Sequence, residues 1–382
     1  MKPLSKIRTD VVGSLLRPKH LKNAYVQHEQ GKISAEELRQ IQDDAIRAAV
    51  CLQEKAGLDV LTDGEFRRLN FQDSFAASVS GFDPRRSELS FIEKLSREGK
   101  PLHRDPSTLE GGAAILRREP VSQKLRLVRN LPLEEFRFVS QVTGRPAKVS
   151  LIGPDRIVQR FDYQNSTSVY WSVDDFIADV VRIERQIVRS LIDAGCRYVQ
   201  IDAPSYTAYV DAASLDEMRK RGEDPMKNMA RSIHADNEIL RLFDDTTFGI
   251  HLCRGNQRSM WHREGSYDAI AEMLFAGLRH DRLLLEYDSP RAGGFAPLRF
   301  VPKDKLVVLG LISTKVPELE KIDDLKRRID EAAKYIPLDQ LALSPQCGFA
   351  SDAAGNLISE DDQKRKLEIV VETARQVWGT AG

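Results

Sequence analysis

The sequence predicts an α/β chain in which strands and helices alternate and close into a (β/α)8 barrel. Three observations point there. The chain carries eight compact β-rich runs that end in polar or glycine-containing turns. Segments with helical spacing lie between most of them. The runs are also nearly continuous in apolar residues, which indicates a parallel sheet covered on its outside. In order the runs are "TDVVGS", "DVLTDGE", "KVSLIGP", "YVQIDAP", "FGIHLCRG", "LLLEYDS", "LVVLGLIST" and "LALSPQCG". The segment 34–57 represents the intervening helices, with "SAEE" as a capping-box start and Gly57 as the C-cap. A second helix covers 174–195, opening on "DDF" and closing on "LIDAGC". A doubly wound open sheet is the alternative arrangement.

The chain has 382 residues, which fits one such barrel as a single domain over 1–382. Residues 74–146, between strands two and three, are too long for one helix and are charged and irregular, with "SREGKPLHRDPSTLEGG" at their centre. They read as an excursion over the barrel mouth. No run is followed by a Gly-x-Gly-x-x-Gly frame, so a phosphate loop of that kind is not expected.

Lysine plus arginine and aspartate plus glutamate balance at 57 each, which speaks against a nucleic-acid partner. The N-terminal "MKPLSKIRTDVVGSLLRP" lacks the apolar core of a signal peptide, and no segment approaches 18 uncharged apolar residues. The expectation is a soluble, cytoplasmic protein without a membrane partner. Four cysteines, Cys51, Cys196, Cys253 and Cys347, are too few and too scattered for a disulfide framework and read as reduced thiols.

Chemistry in a barrel gathers where strands finish. The strand ends here carry Ser14, Asp63 with Glu65, Asp202, His251 with Cys253, Glu286 with Asp288, and Cys347. Alternation sends residues i and i+2 to one side, so His251 and Cys253 can both face the mouth. With Glu286 and Cys347 they make a set of two sulfurs, one imidazole and one carboxylate, suited to Zn2+. The plainer reading is packing for the His-x-Cys pair and for Cys347, and a salt bridge from Glu286 to Arg254 or Arg291. Cys51 and Cys196 are assigned to packing. His20, His28, His103, His234, His262 and His280 read as surface or capping residues.

Six motifs in register with the strand ends carry a family resemblance: "VGSLLRP", "DGEFRR", "QIDAP", "HLCRGN", "LEYDSPRAG" and "SPQCGFAS". Together they resemble the catalytic barrel of cobalamin-independent methionine synthase and its shorter relatives. The resemblance implies a zinc site of His251, Cys253, Glu286 and Cys347, with the thiol of homocysteine entering as a ligand. It implies that Ser14 and adjacent backbone hold the amino-acid carboxylate, and that Glu65 and Asp202 hold its ammonium group.

Two departures bear on the methyl donor. The full-length synthase has an additional N-terminal barrel that helps bind its folate, for which this chain has no room. The family's histidine after strand seven, the proposed proton donor, is matched here by Ile312 in "GLISTK", with Thr314 and Lys315 as the nearby substitutes. The catalytic proton donor is therefore unassigned. The expected function is zinc-dependent methyl transfer to a small thiol, first of all homocysteine to give methionine. The donor is methylfolate, with its pterin near Tyr163, Trp171 or Phe295, or else a methyl-corrinoid carrier protein or a methylated small metabolite. One rival is alkyl transfer to another thiol such as coenzyme M, whose sulfonate would meet Arg17, Arg67 or Arg68. The other is a catalytically silent zinc-binding barrel.

Overall fold

The structure is a computed structural model that describes residues 3–83 and 119–379. Within the 74–146 segment two short strands, β1 (Val79–Phe82) and β2 (Val121–Leu127), pair antiparallel. The main sheet follows with β3 (Lys148–Ile152), β4 (Tyr198–Asp202), β5 (Thr247–Leu252), β6 (Arg282–Glu286), β7 (Leu306–Ile312) and β8 (Leu341–Pro345). These six strands are parallel and lie in sequence order, as a chain of strand–helix units requires.

The first two expected strands do not form ladders. They make single parallel bridges, Thr9 to Leu343 of β8 and Leu61 to Ala147 beside β3. The two segments also meet each other, through Leu15 N–H to the Gly64 carbonyl (3.0 Å) and the Thr62 hydroxyl to the Gly13 carbonyl (2.7 Å). The edges of the sheet are thus connected through two segments without regular strand. The cause is local. Around Thr62 the backbone is satisfied by side chains, with Gln53 bonding both the N–H (3.0 Å) and the carbonyl (2.8 Å) of Thr62. Asp63 takes the Glu65 N–H at 2.8 Å. Polar side chains that bond nearby backbone displace ladder pairing.

The strands are buried along almost their whole length, yet their two faces differ. One face presents Val149, Leu151, Val199, Ile201, Ile250, Leu283, Leu285, Val307 and Leu309 to the main apolar core. The alternate positions are Lys148, Ser150, Tyr198, Gln200, Asp202, His251, Arg282 and Glu286, a polar face that also holds the small cluster Leu284, Leu306, Val308 and Ala342. The register aligns Asp202 with His251 across β4 and β5, so strand-end chemistry converges on one side.

The flanking helices begin and end where their caps dictate. Helix Ala35–Ala56 has the Ser34–Glu37 capping box, and Gly57 adopts φ +89° at its end. Helix Val173–Asp193 is capped by Ser172, whose side chain accepts the Asp175 N–H. It buries Phe176, Val180, Ile183, Ile187 and Leu191, each contributing roughly 1.5–3 kcal/mol on burial. The described part of the 74–146 segment adds helix Leu131–Val142 directly before β3, and β2 bonds to Tyr170 and to Arg182 of the Val173–Asp193 helix. Residues 84–118, including His103, lie outside the described residues.

Candidate active site

At the carboxyl ends of β5 and β8, one ligand atom each from His251, Cys253 and Cys347 lies within 4.8 Å of the others, and all three residues are buried. Both ring nitrogens of His251 lack a hydrogen-bond partner. A buried imidazole left so is costly, and a metal ion would satisfy it. The two thiols interact: Cys347 donates to Cys253, which with the His251 charge holds the Cys253 thiol well below its ordinary range. An imidazole nitrogen and two sulfurs form a donor set that fits zinc.

The loops that carry these ligands are tied together by residues following Cys253. Asn256 Nδ2 donates to the Gly348 carbonyl (2.7 Å) and to Ser351 Oγ (3.2 Å), joining the β5 loop to the β8 loop. Arg254, fully buried, spends its guanidinium on the carbonyls of Gly265, Glu286 and Ala292. The "CRGN" string therefore acts as a set of clamps around the cysteines.

Glu286 ends β6 but lies outside the three-residue cluster. Arg291 donates to its Oε1 at 2.8 and 3.0 Å, and the Arg254 N–H donates to Oε2 at 2.6 Å. Of the two expected salt-bridge partners, Arg291 makes the salt bridge, and Arg254 reaches the carboxylate through its backbone N–H. Burial acts to raise the Glu286 carboxyl, but the charges of Lys315, Arg291 and Arg254 hold it below its ordinary value.

Glu65 has φ +59°, a left-handed conformation that costs a residue with a Cβ roughly 1–3 kcal/mol and clusters at functional sites. Its Oε1 accepts from Ser150 Oγ at 2.8 Å, while its buried Oε2 has no partner. A Cβ at position 13 would come within 2.6 Å of Glu65 Oε1, so Gly13 makes room for the carboxylate. Asp202 accepts from Gln200 Nε2 at 2.7 Å. Burial pushes its carboxyl up to about 7, against the pull of His251 and with the Glu65 charge adding to the rise. Ser14 is gripped by the loop after β8: its carbonyl takes the Phe349 N–H (2.8 Å) and its hydroxyl takes the Ala350 N–H (3.3 Å).

A cavity of about 360 Å³ collects these groups, with Ser14, Glu65, Asp202, His251, Cys253 and Cys347 in its lining. Glu286 is not in that lining. The lining residues not singled out from sequence as site residues include Arg156, Asn256, His262 and Arg263. His262 is thus a cavity residue rather than a surface one, and burial with the charges of Arg263 and Arg156 holds its ring down to about 4. His280 is fully buried, against expectation, with both ring nitrogens unpartnered. His20 and His234 are exposed, and His28 is half-buried with Nδ1 3.2 Å from the Ile33 carbonyl. Cys196 packs in the core as expected, whereas Cys51 is exposed.

The expected pterin platform is not in this cavity: Trp171 is 87% exposed, Tyr163 donates to the Trp171 carbonyl, and Phe295 lines a separate cleft with Arg328. Ile312 is fully buried. Thr314 donates to Gln346 at 2.8 Å, and Lys315 Nζ is buried without a hydrogen-bond partner. Arg17 and Arg68 donate to neighbouring carbonyls, to Glu135 and to Ser150, and Arg67 pairs with Asp43.

Comparison with known proteins bears on the fold and the family. YxjH of Bacillus subtilis, described as an uncharacterized protein, is 38% identical over 374 residues, covering 97% of this chain and 94% of its own. A methionine synthase of Saccharolobus solfataricus is 25% identical over 381 residues, 99% of this chain and 96% of that one. Among solved structures, a B12-independent methionine synthase from a Shewanella species in complex with selenomethionine superposes with TM-score 0.70 at 18% identity, covering 98% of each chain, which establishes the likeness of fold. Residues 7–375 match the family described as cobalamin-independent synthase, catalytic domain, and the chain belongs to that family.

Proposed function

We propose that this protein transfers a methyl group to the sulfur of homocysteine to form methionine, with zinc held by His251, Cys253 and Cys347 and with Glu286 as an exchangeable fourth ligand. The observation that carries this reading is the buried His251 imidazole, without a partner at either nitrogen, beside two cysteine sulfurs at the edge of a cavity. Zinc bound there supplies a Lewis acid that keeps an incoming thiol as its thiolate at neutral pH. Glu286 has a second partner in Arg291, so it can yield its place to substrate sulfur without being left as an unpaired buried charge. The free Oε2 of Glu65 and the Asp202 carboxyl receive the ammonium group, and Ser14 with the backbone beside it receives the carboxylate.

The methyl donor is one whose leaving group needs no proton. Ile312 offers none, and an amine leaving group without a positioned general acid forgoes ~10² to 10⁴ in rate. A methyl-corrinoid therefore turns over faster than methyltetrahydrofolate. The arginines expected to meet a coenzyme M sulfonate, Arg17, Arg67 and Arg68, are committed to other partners and none lines the cavity, while the acidic pair Glu65 and Asp202 suits an ammonium group rather than a sulfonate. The test is methionine formation by zinc-loaded protein with homocysteine and either methylcobalamin or methyltetrahydrofolate. Methionine from both, faster from methylcobalamin, supports the proposal. Alkylation of coenzyme M but not of homocysteine overturns it, and no product from any thiol leaves the silent barrel.

A further inference from the structure

Beyond the groups assigned to homocysteine, the cavity carries two arginines, Arg156 and Arg263, that form no close ion pair among the described residues. Arg156 is buried, at 6% exposure, and its Nε has no hydrogen-bond partner. Its one hydrogen bond is from Nη1 to Gln159 at 3.1 Å. Arg263 is half-buried and donates from Nη1 to the Pro204 carbonyl at 2.8 Å. Neither forms an ion pair within 4.0 Å among the described residues. The charges of Asp155 and Asp211 reach Arg263 without pairing with it, and Arg160, which repels Arg156, is itself paired with Glu119. Burial, then the charges of Arg263 and Arg160, pulls the Arg156 guanidinium down to about 9. Two like charges are thus held together with unused donors on a cavity wall, an arrangement that an oxyanion relieves.

The groups already assigned to homocysteine say which reactant is left to meet them. Asp202 is the last residue of β4 and Glu65 is held against Ser150 of β3, and both are assigned to the ammonium group. Arg156 lies four residues beyond Ile152, the last residue of β3, and Arg263 lies eleven beyond Leu252, the last of β5. Both are held close to the strand ends, Arg156 in the first turn of helix Pro154–Gln159 and Arg263 through its N–H to the Arg254 carbonyl and its Nη1 to the Pro204 carbonyl, as a set of donors separate from the acidic pair. We infer that Arg156 and Arg263 form an oxyanion site for the second reactant, a methyl donor or carrier that presents a carboxylate or a phosphate at the mouth. This rests on the assignment of Glu65 and Asp202 to the thiol substrate's ammonium group.

The test is calorimetric titration of the full-length, zinc-loaded protein with inorganic phosphate and, separately, with glutarate, which distinguishes the two oxyanions. At least one should bind saturably, and roughly tenfold or more weaker to Arg156→Gln and to Arg263→Gln. Arg156→Lys, which keeps the charge but not the fork, should fall between. The control Arg299→Gln, at an exposed site away from the cavity, should bind as wild type does. Homocysteine affinity should be unchanged by either glutamine variant and by saturating anion. Equal anion binding by wild type and both variants, or no saturable binding of either anion, overturns the site. Competition between anion and homocysteine overturns its assignment to the second reactant. Anion binding that depends on both arginines in a protein that does not bind homocysteine would leave the oxyanion site standing while refuting the methyltransferase reading.

Discussion

Asp10 and His251 are both buried polar residues on the polar side of the main sheet, and their surroundings are opposite. The Asp10 carboxylate is engaged by Lys148 Nζ (2.7 Å), the Tyr198 hydroxyl (2.7 Å), Arg282 Nη2 (3.1 Å) and the Val11 N–H (2.9 Å). Burial alone would raise its carboxyl, yet Lys148 and Arg282 hold it below the ordinary carboxylate range. His251 has no partner at either nitrogen, and the same holds for Glu65 Oε2, Lys315 Nζ and Arg156 Nε around it. Gln200 joins the two regions, accepting from Lys148 at 2.7 Å and donating to Asp202 at 2.7 Å. A buried polar group whose capacity is used within the chain serves the fold. His280, as unpartnered as His251, stands apart from the cavity, and it is the gathering of several unused groups at one cavity, as around His251, that is available to a ligand.

That contrast can be broken in several places. The largest effect is expected from Cys253→Ser or Cys347→Ser. Loss of a group that merely supports a ligand costs 10–100-fold in metal affinity, so loss of a ligand should cost more than ~100-fold, with circular dichroism unchanged. Elemental analysis after dialysis reads it, and full zinc retention in both variants would remove the metal site from the account.

Lys148→Met attacks the satisfied cluster. Breaking a buried pair by removing one partner costs ~3–5 kcal/mol, to be read by urea unfolding, while zinc content stays at the wild-type value. A variant of wild-type stability that has lost zinc would erase the distinction between the two regions.

Asp202→Asn comes next. Removing one charge of a desolvated pairing costs a few kcal/mol, or ~100-fold in homocysteine affinity by titration calorimetry, with zinc in place. Normal affinity in this variant and in Glu65→Gln would take the ammonium group away from the acidic pair.

The smallest effect belongs to Asn256→Ala, which cuts the tie between the two ligand-bearing loops. Zinc affinity should fall by ~10-fold without loss of the fold. An unchanged affinity would mean that Arg254 alone holds the loop.

Much of this was legible from the residues, for physical reasons that also mark where legibility ends. β3 to β8 are read from apolar runs bounded by turns, and their parallel order follows from the helices between them. The runs at 9–14 and 59–65 have the same look, but Gln53, Thr62 and Asp63 bond the backbone that a ladder would use. His251, Cys253 and Cys347 stand at strand ends, where alternation and register decide direction, so their convergence was predictable. Arg156 lies in the first turn of the short helix Pro154–Gln159 and Arg263 in the irregular segment beyond β5, and strand alternation encodes neither place. Asn256 was visible in "CRGN" only as a polar residue, because its partners Gly348 and Ser351 are more than ninety positions away. His280 sits in the polar string "RHDR", which reads as surface, yet it is fully buried, with Lys305 Nζ bonded to its carbonyl at 2.9 Å.

The central claim is that the unpartnered cluster of His251, Cys253 and Cys347 is a zinc site that admits substrate sulfur. Zinc-edge X-ray absorption of the purified protein, without and with homocysteine, tests it most directly. The account predicts about one zinc per chain with two sulfur neighbours, rising to three when homocysteine is added while one oxygen neighbour is lost. A zinc-free protein that does not take up the metal, or a sulfur count that stays at two with homocysteine bound, would contradict it.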